Sequence, residues 1–303
     1  MQQSVGRVSL PHGKKSDNYP LMNFSIKALL PQIETWLIED DLLKNYHYSK
    51  TLPDTSVQLS LKIKSPMILS GLDYLTATFV ALGIDDKKFS FLNEFEGKRF
   101  SAGSQIDFPE GIPFSAAVTG ERLALNLVQH ASSISTWTAE HVALAAKSGI
   151  KILDTRKTTP GMRSIEKYAV RVGGGFNHRL GQTDTWMIKD NHKTCLGGIK
   201  GAWDFFQSQG SFYNNTVVEI HDLNELKVAI DLGITQVMLD NFSPADVKLA
   251  IEMKKPGMTF EVSGGLRLNT IKDYLISGVD ALSIGSLTYS APKVDVSLKY
   301  KPL

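Results

Sequence analysis

Gln236-Val-Met-Leu-Asp240 is a short apolar run that ends in a carboxylate, and five other runs share its form. They are Ile150-Lys-Ile-Leu-Asp154, Trp186-Met-Ile-Lys189, Val217-Val-Glu219, Phe260-Glu-Val-Ser263 and Ala281-Leu-Ser-Ile-Gly285. Strands that are apolar along their length are covered on both faces, as in parallel sheets whose crossovers are helices. The strand-end residues Glu219, Asp240, Ser263 and Gly285 are 21, 23 and 22 residues apart, and each interval fits a strand, a loop, a helix and the return. The pattern predicts an α/β fold, an irregular (β/α) barrel with six strands visible; a doubly wound sheet is the competing arrangement. Gly173-Gly174-Gly175 lacks the spacing of a dinucleotide fingerprint and reads as a flexible or tightly packed loop.

Upstream the pattern differs. Apolar residues recur at helical spacing between Ser25 and Tyr46, with Pro31 placed in a first turn. Val57, Leu59, Leu61 and Ile63 then alternate strictly with polar residues, which predicts a strand with one wet face. Asp73 to Gly83 reads as a helix and Arg99 to Phe108 as a short strand, so this part is a small α+β domain. A further helix starts at Gly120, reaches at least Gln129, and carries Leu123, Leu127 and Val128 on one face.

The 303 residues are 42% hydrophobic and 21% charged, which argues against disorder, coiled coil and collagen-like repeats. Thirty-three basic against 31 acidic residues leave a net charge of +2, too little for a globally basic nucleic-acid binder. Cys195 is the single cysteine, so there is no internal disulfide or multi-cysteine zinc site. No apolar run approaches the roughly 20 residues of a membrane helix. The polar segment Met1 to Pro20 lacks a signal core and reads as a mobile arm. The expectation is a soluble cytoplasmic protein with no nucleic-acid or membrane partner.

In either α/β fold, ligands bind at the carboxyl ends of the strands, so the strand-terminal residues form a list of candidates. Arg156, Lys157, Arg179 and Lys189 form a cationic group suited to carboxylates and phosphates, and His178 stands beside them. Glu219 and Asp240, one repeat apart, suit Mg²⁺ bridged to substrate phosphates, or a sugar that becomes cationic in its transition state. Ser263-Gly264-Gly265 and Gly285-Ser286 close the last two strands with small residues, where barrels commonly bind phosphate on backbone N–H groups. Arg122 sits in a helical first turn, where a cation opposes the helix dipole and so points to an anion-facing task. For each residue alone a plain salt bridge is the bland alternative.

The strings themselves are specific. Asp154-Thr-Arg-Lys-Thr-Thr-Pro-Gly-Met-Arg163, Glu166-Lys-Tyr-Ala-Val170, Gly173-Gly-Gly-Phe-Asn-His-Arg179, Ile188-Lys-Asp-Asn-His192, Met238-Leu-Asp-Asn-Phe242 and Glu261-Val-Ser-Gly264 occur in that order. The sequence closely resembles quinolinate phosphoribosyltransferase from about Glu121 to Lys299, and more loosely before that. The resemblance implies an N-terminal α+β sandwich domain (1–117), a barrel domain (118–289) and a tail (290–303) packed on the first. It implies a homodimer with shared active sites and a reaction of quinolinate with phosphoribosyl pyrophosphate and Mg²⁺, giving nicotinate mononucleotide, pyrophosphate and CO₂. By the same resemblance Arg156, His178, Arg179 and Lys189 would bind quinolinate, with Arg122 reaching in from the partner. Lys157, Lys189, Glu219 and Asp240 would serve the phosphoribosyl donor and the chemistry, Glu219 and Asp240 would hold the metal, and Ser263, Gly264, Gly265, Gly285 and Ser286 would form the phosphate loops. Gly265, Tyr289 and Lys44-Asn-Tyr-His47 depart from the common pattern of the family. The rival readings are a phosphoribosyltransferase for nicotinate, a Schiff-base lyase using Lys157 or Lys189, and a non-catalytic anion sensor.

Overall fold

The computed structural model describes residues 26–44, 50–210, 213 and 215–303. The arm expected at Met1 to Pro20, and most of Lys44-Asn-Tyr-His47, lie outside them. The chain opens with α1 (Ile26–Glu39), which buries Leu29, Ile33 and Leu37. Pro31 lies inside this helix and not in a described first turn. It is exposed, so water can serve the carbonyl one turn back that its missing N–H leaves without a partner.

Strand β1 (Ser56–Ile63) alternates inside and outside along its whole length, as its sequence requires. The single strand expected near Arg99 to Phe108 is two, β3 (Arg99–Phe100) and β4 (Gln105–Asp107); β3 pairs with β2 (Met67–Ile68) and β4 with β1. Helix α2 (Leu72–Ala81) covers this sheet, and β5 (Ile112–Pro113) pairs with the start of β1. The chain returns at its end, where β12 (Val296–Pro302) runs antiparallel to β1 from Val57 to Ile63.

Helix α3 (Phe114–Ala145) is far longer than its apolar stripe suggested. Its second half buries Ser132, Ser133, Ser135, Thr138 and His141. Several of these are satisfied by backbone carbonyls: Ser133 Oγ donates to Gln129 at 2.6 Å, Ser135 Oγ to Ala169 at 2.8 Å, and Ser132 Oγ to Ser70 at 3.2 Å. Buried hydroxyls bonded in this way carry little penalty. Ala116, Ala117, Ala124, Leu125 and Val128 of this helix join the N-terminal core, while Leu123, Leu127, Ala131 and Ile134 join the barrel core. The expected boundary at 117/118 therefore falls inside one helix that both cores share.

The barrel strands are β6 (Lys151–Leu153), β7 (Trp186–Ile188), β8 (Thr216–Ile220), β9 (Gln236–Asp240), β10 (Thr259–Ser263) and β11 (Ala281–Ser283). They are all parallel, in the order β6-β11-β10-β9-β8-β7. The first strand is thus neighbour to the last. A doubly wound sheet would reverse direction midway; this cyclic order requires the sheet to curl round on itself. Strands β6 and β7 share no ladder; apart from its pairing with β11, β6 makes a lone parallel bridge from Leu153 to Phe176, in the segment that precedes β7. Gly173, beside that bridge, is packed so tightly that a Cβ would lie 2.5 Å from the Ser135 carbonyl oxygen, which selects the tightly packed reading of the glycine run.

Strand parity sorts the residues. Val218, Ile220, Val237, Leu239, Phe260, Val262 and Leu282 join the core under the helices. Met187, Val217 and Met238, of the opposite parity, form a small separate cluster inside the barrel. Glu219, Asp240, Glu261, Ser263 and Ser283 share that inner parity. Among the described residues, no helix is long and apolar enough to cross a membrane.

Candidate active site

The carboxyl ends of the six strands enclose a cavity of about 370 Å³. Its walls include Arg156, Lys157, His178, Arg179, Lys189, Glu219, Asp240 and Ser263, with Thr155, Met187, Met238 and Ser283 completing them. Eight of the expected site residues, drawn from five strand ends and one loop, are brought to one hollow.

The loop after β6 is anchored by Asp154, which is fully buried. Asp154 follows Ile152 on the helix-facing parity, and its carboxylate accepts from Lys167 Nζ at 2.5 Å, Asn177 Nδ2 at 2.6 Å and the His178 N–H at 2.8 Å. Burial raises the carboxyl of Asp154 and lowers the ammonium of Lys167, while their mutual attraction opposes both shifts. This clamp ties the β6 end to the segment bearing His178 and Arg179. Helix α4 (Arg163–Val172) supplies a second anchor, since its buried Glu166 accepts the Thr159 N–H and contacts His130 Nε2 at 3.0 Å.

The cations differ in their freedom. Arg156 has a buried Nε without a protein partner. Arg179 donates through Nη1 to the carbonyls of Gln182 and Thr185, at 2.9 and 3.0 Å. Burial, and then the like charge of Arg156, disfavour its charged form. Two guanidinium groups whose charges oppose each other across a cavity favour a bound dianion. Lys157 is exposed, and Thr288 Oγ1 donates to its carbonyl at 2.9 Å.

His178 has both ring nitrogens engaged within the protein. Nδ1 accepts the Arg179 N–H at 2.6 Å, so the proton is on Nε2, which faces Glu261 Oε2 at 3.2 Å. Glu261 also accepts a hydrogen bond from Ser283 Oγ. The sequence reading did not single out Glu261. Its position two residues before Ser263 gives it the same inward parity, and that signal would have found it.

Lys189 Nζ meets Glu219 Oε2 at 2.9 Å. Asp240 lies across from them, and burial followed by repulsion from Glu219 raises its carboxyl above the usual range. Glu219, Asp240 and His221, a residue the sequence reading passed over, present ligand atoms all within 4.8 Å of one another. Oxygen donors in such a cluster suit a hard divalent cation.

Of the two small-residue loops, Ser263 lines the cavity, while Gly264, Gly265, Gly285 and Ser286 lie outside its walls. Gly264 has φ +98°, and a Cβ there would collide with Asn241 Oδ1 at 2.3 Å, so this turn after β10 requires glycine. Gly265 and Ser286 line a neighbouring hollow of about 950 Å³ together with Tyr289, Arg267 and Lys272. Gly285 packs against Lys157 and Tyr289. Helix α3 begins at Phe114, so Arg122 lies in its third turn and not in a first turn. It is not brought to the cavity of its own chain but lies exposed in a separate hollow beside Trp36, Asp40, Pro160 and Met162.

Comparison with known proteins agrees over most of the chain. Residues 46–132 match the N-terminal domain of quinolinate phosphoribosyl transferase, and residues 134–299 match its C-terminal domain. The probable carboxylating nicotinate-nucleotide pyrophosphorylase of Bacillus subtilis (strain 168) is 37% identical over 245 residues, covering 81% of this chain and 84% of the relative. The human carboxylating nicotinate-nucleotide pyrophosphorylase is 33% identical over 277 residues, covering 90% and 91%. The structure of NadC from Streptococcus pyogenes superposes with a TM-score of 0.83 at 31% identity, over 93% of this chain and 99% of that one. The nicotinate-nucleotide pyrophosphorylase from Francisella tularensis gives a TM-score of 0.79 at 30% identity, over 94% and 100%. On these matches to both domains, the chain belongs to the quinolinate phosphoribosyltransferase family.

Proposed function

We propose that the cavity at the strand ends transfers phosphoribose from phosphoribosyl pyrophosphate to quinolinate and releases CO₂, yielding nicotinate mononucleotide and pyrophosphate. One observation carries this reading. A single hollow holds Arg156, Lys157, Arg179 and Lys189 together with Glu219 and Asp240, so a dicarboxylate and a sugar polyphosphate both find complementary charge. Quinolinate has two adjacent carboxylates, which suit guanidinium forks, and each charge-assisted hydrogen bond is worth about 1.5–3 kcal/mol.

Lys157 and Lys189 are assigned to the phosphates, and Ser263, Gly264, Gly265, Gly285 and Ser286 to the backbone cradle around them. As pyrophosphate departs, the anomeric carbon becomes cationic, and the carboxylates of Glu219 and Asp240 stabilise it. The ring nitrogen of quinolinate bonds to that carbon. The quaternised ring then accepts the electron pair of the breaking C–CO₂ bond, and the carbanion takes up a proton, a step assigned to Lys189. His178 orients Arg179 through the bond between its ring and the Arg179 backbone. The site acts by positioning and charge, with no covalent protein intermediate.

Glu219 and Asp240 are the residues that would hold Mg²⁺, and their clustered oxygens fit such an ion. When bound, it would neutralise charge on the departing pyrophosphate. The chain would assemble as a homodimer in which each partner lends Arg122 to the other's cavity; that Arg122 lines a different hollow of its own chain supports this. The free, exposed Cys195 fits a reducing, cytoplasmic setting.

The test is to incubate the enzyme with Mg²⁺, phosphoribosyl pyrophosphate and either quinolinate or nicotinate. CO₂ release with quinolinate is the expected result, and turnover of nicotinate alone would overturn the assignment. For the dimer, Arg122→Ala and Lys189→Ala chains are mixed. Random exchange of subunits restores about a quarter of wild-type activity if sites are shared across a two-fold axis, and none if each chain is self-sufficient.

A further inference from the structure

Beside the two acids, His221 completes what looks like a three-residue metal site. Its surroundings argue otherwise. Lys193 is almost wholly buried, and its ammonium meets Glu225 Oε1 and Oε2 at 2.8 and 2.7 Å, the Glu219 carbonyl at 3.0 Å and His221 Nδ1 at 2.9 Å. Glu225 also accepts the His221 backbone N–H at 2.8 Å, which fixes the residue from a second side. An ammonium can only donate, so Nδ1 must accept, and the ring proton is on Nε2. That nitrogen lies 3.4 Å from Glu219 Oε1 and 3.7 Å from Asp240 Oδ2.

A histidine that ligates a metal usually donates its other ring N–H to a carboxylate or carbonyl. Here the partner of that other nitrogen is a cation, the reverse of the required polarity. We infer that His221 is a positioning residue and not a metal ligand: pinned by Lys193, it presents an N–H to Glu219 and Asp240 and holds their carboxylates in place for the sugar. This rests on the reading of those two acids proposed above. The arrangement sets an N–H donor between two like charges, and it leaves an all-oxygen donor set that favours a hard cation over a nitrogen-seeking one.

The test compares His221→Ala with His221→Gln in the intact enzyme. Gln places an amide N–H near the position of Nε2. The alanine variant is expected to lower kcat about tenfold while leaving the KM for quinolinate within about twofold, and the glutamine variant to recover most of that loss. Independently, Mn²⁺ bound to the wild-type enzyme with phosphoribosyl pyrophosphate is expected to show no ¹⁴N coupling from imidazole by electron spin-echo spectroscopy. Full activity in His221→Ala, or a ¹⁴N coupling that His221→Gln abolishes, would overturn the inference. Failure of the wild-type enzyme to release CO₂ from quinolinate would instead remove the reading of the site itself.

Discussion

Asp154 and Asp240 each close an apolar barrel strand, and in sequence they are interchangeable. Their surroundings are opposite. Asp154 has the parity of Ile152, faces the helices, is fully buried, and has its carboxylate saturated by Lys167, Asn177 and the His178 N–H. Asp240 has the parity of Met238, faces the interior, and looks across a cavity at Glu219 and His221. One residue of shift along a strand separates an acid that builds the site from an acid that faces the cavity.

The sharpest way to break this contrast is Lys167→Met. It leaves the Asp154 carboxylate buried without its cation, and a loss of about 3–5 kcal/mol in unfolding free energy is expected from urea titration. Adding Asp154→Asn to that variant should recover part of the loss. If Lys167→Met unfolds like the wild type, the clamp is incidental. Next comes Glu219→Gln on the inner face. It should lower kcat about 10²-fold, equivalent to about 2.7 kcal/mol, with the unfolding midpoint nearly unchanged. A stability loss as large as that of Lys167→Met would erase the distinction between the two faces.

Parity also explains what could be read beforehand. The six apolar runs and their spacing were legible because strand length and burial on both faces are local properties. That β6 lies beside β11 was not, because pairing of the first strand with the last depends on contacts about 130 residues apart in sequence, such as Ala281 opposite Lys151. Glu261 was legible by its parity with Ser263 but sits inside a strand and not at its end, outside the strand-terminal residues. His221 was hidden one residue past the end of β8, and its meaning depends on Lys193 from helix α5 (Asp190–Cys195). The far half of α3 was illegible for another reason. Its buried face mixes Ala131, Ile134 and Ala145 with Ser132, Ser133, Ser135, Thr138 and His141, so the apolar stripe is interrupted by polar residues.

His141 on that face gives the smallest predicted effect, and contrasts with His221. Its Nδ1 donates to the Trp137 carbonyl at 2.8 Å, while its Nε2 is buried without a partner. Burial lowers its pKa below the ordinary 6.5. The unfolded chain therefore binds a proton more readily, so stability is complete above about pH 6.5 and declines as the pH falls from there toward the depressed value. His141→Asn, which keeps a donor near Nδ1 but cannot titrate, should flatten this decline in unfolding free energy. An unchanged pH profile would mean that the ring finds an acceptor on protonation.

The sharing of α3 between the two cores has a consequence for how the enzyme can be taken apart. A rod that serves as a wall of both rooms cannot be assigned to either, so neither half is a portable module. Severing the chain within residues 118–144 strands apolar surface on each fragment, and β12, clasped to β1, joins the two ends as well. Heating should therefore melt the whole subunit in one cooperative step.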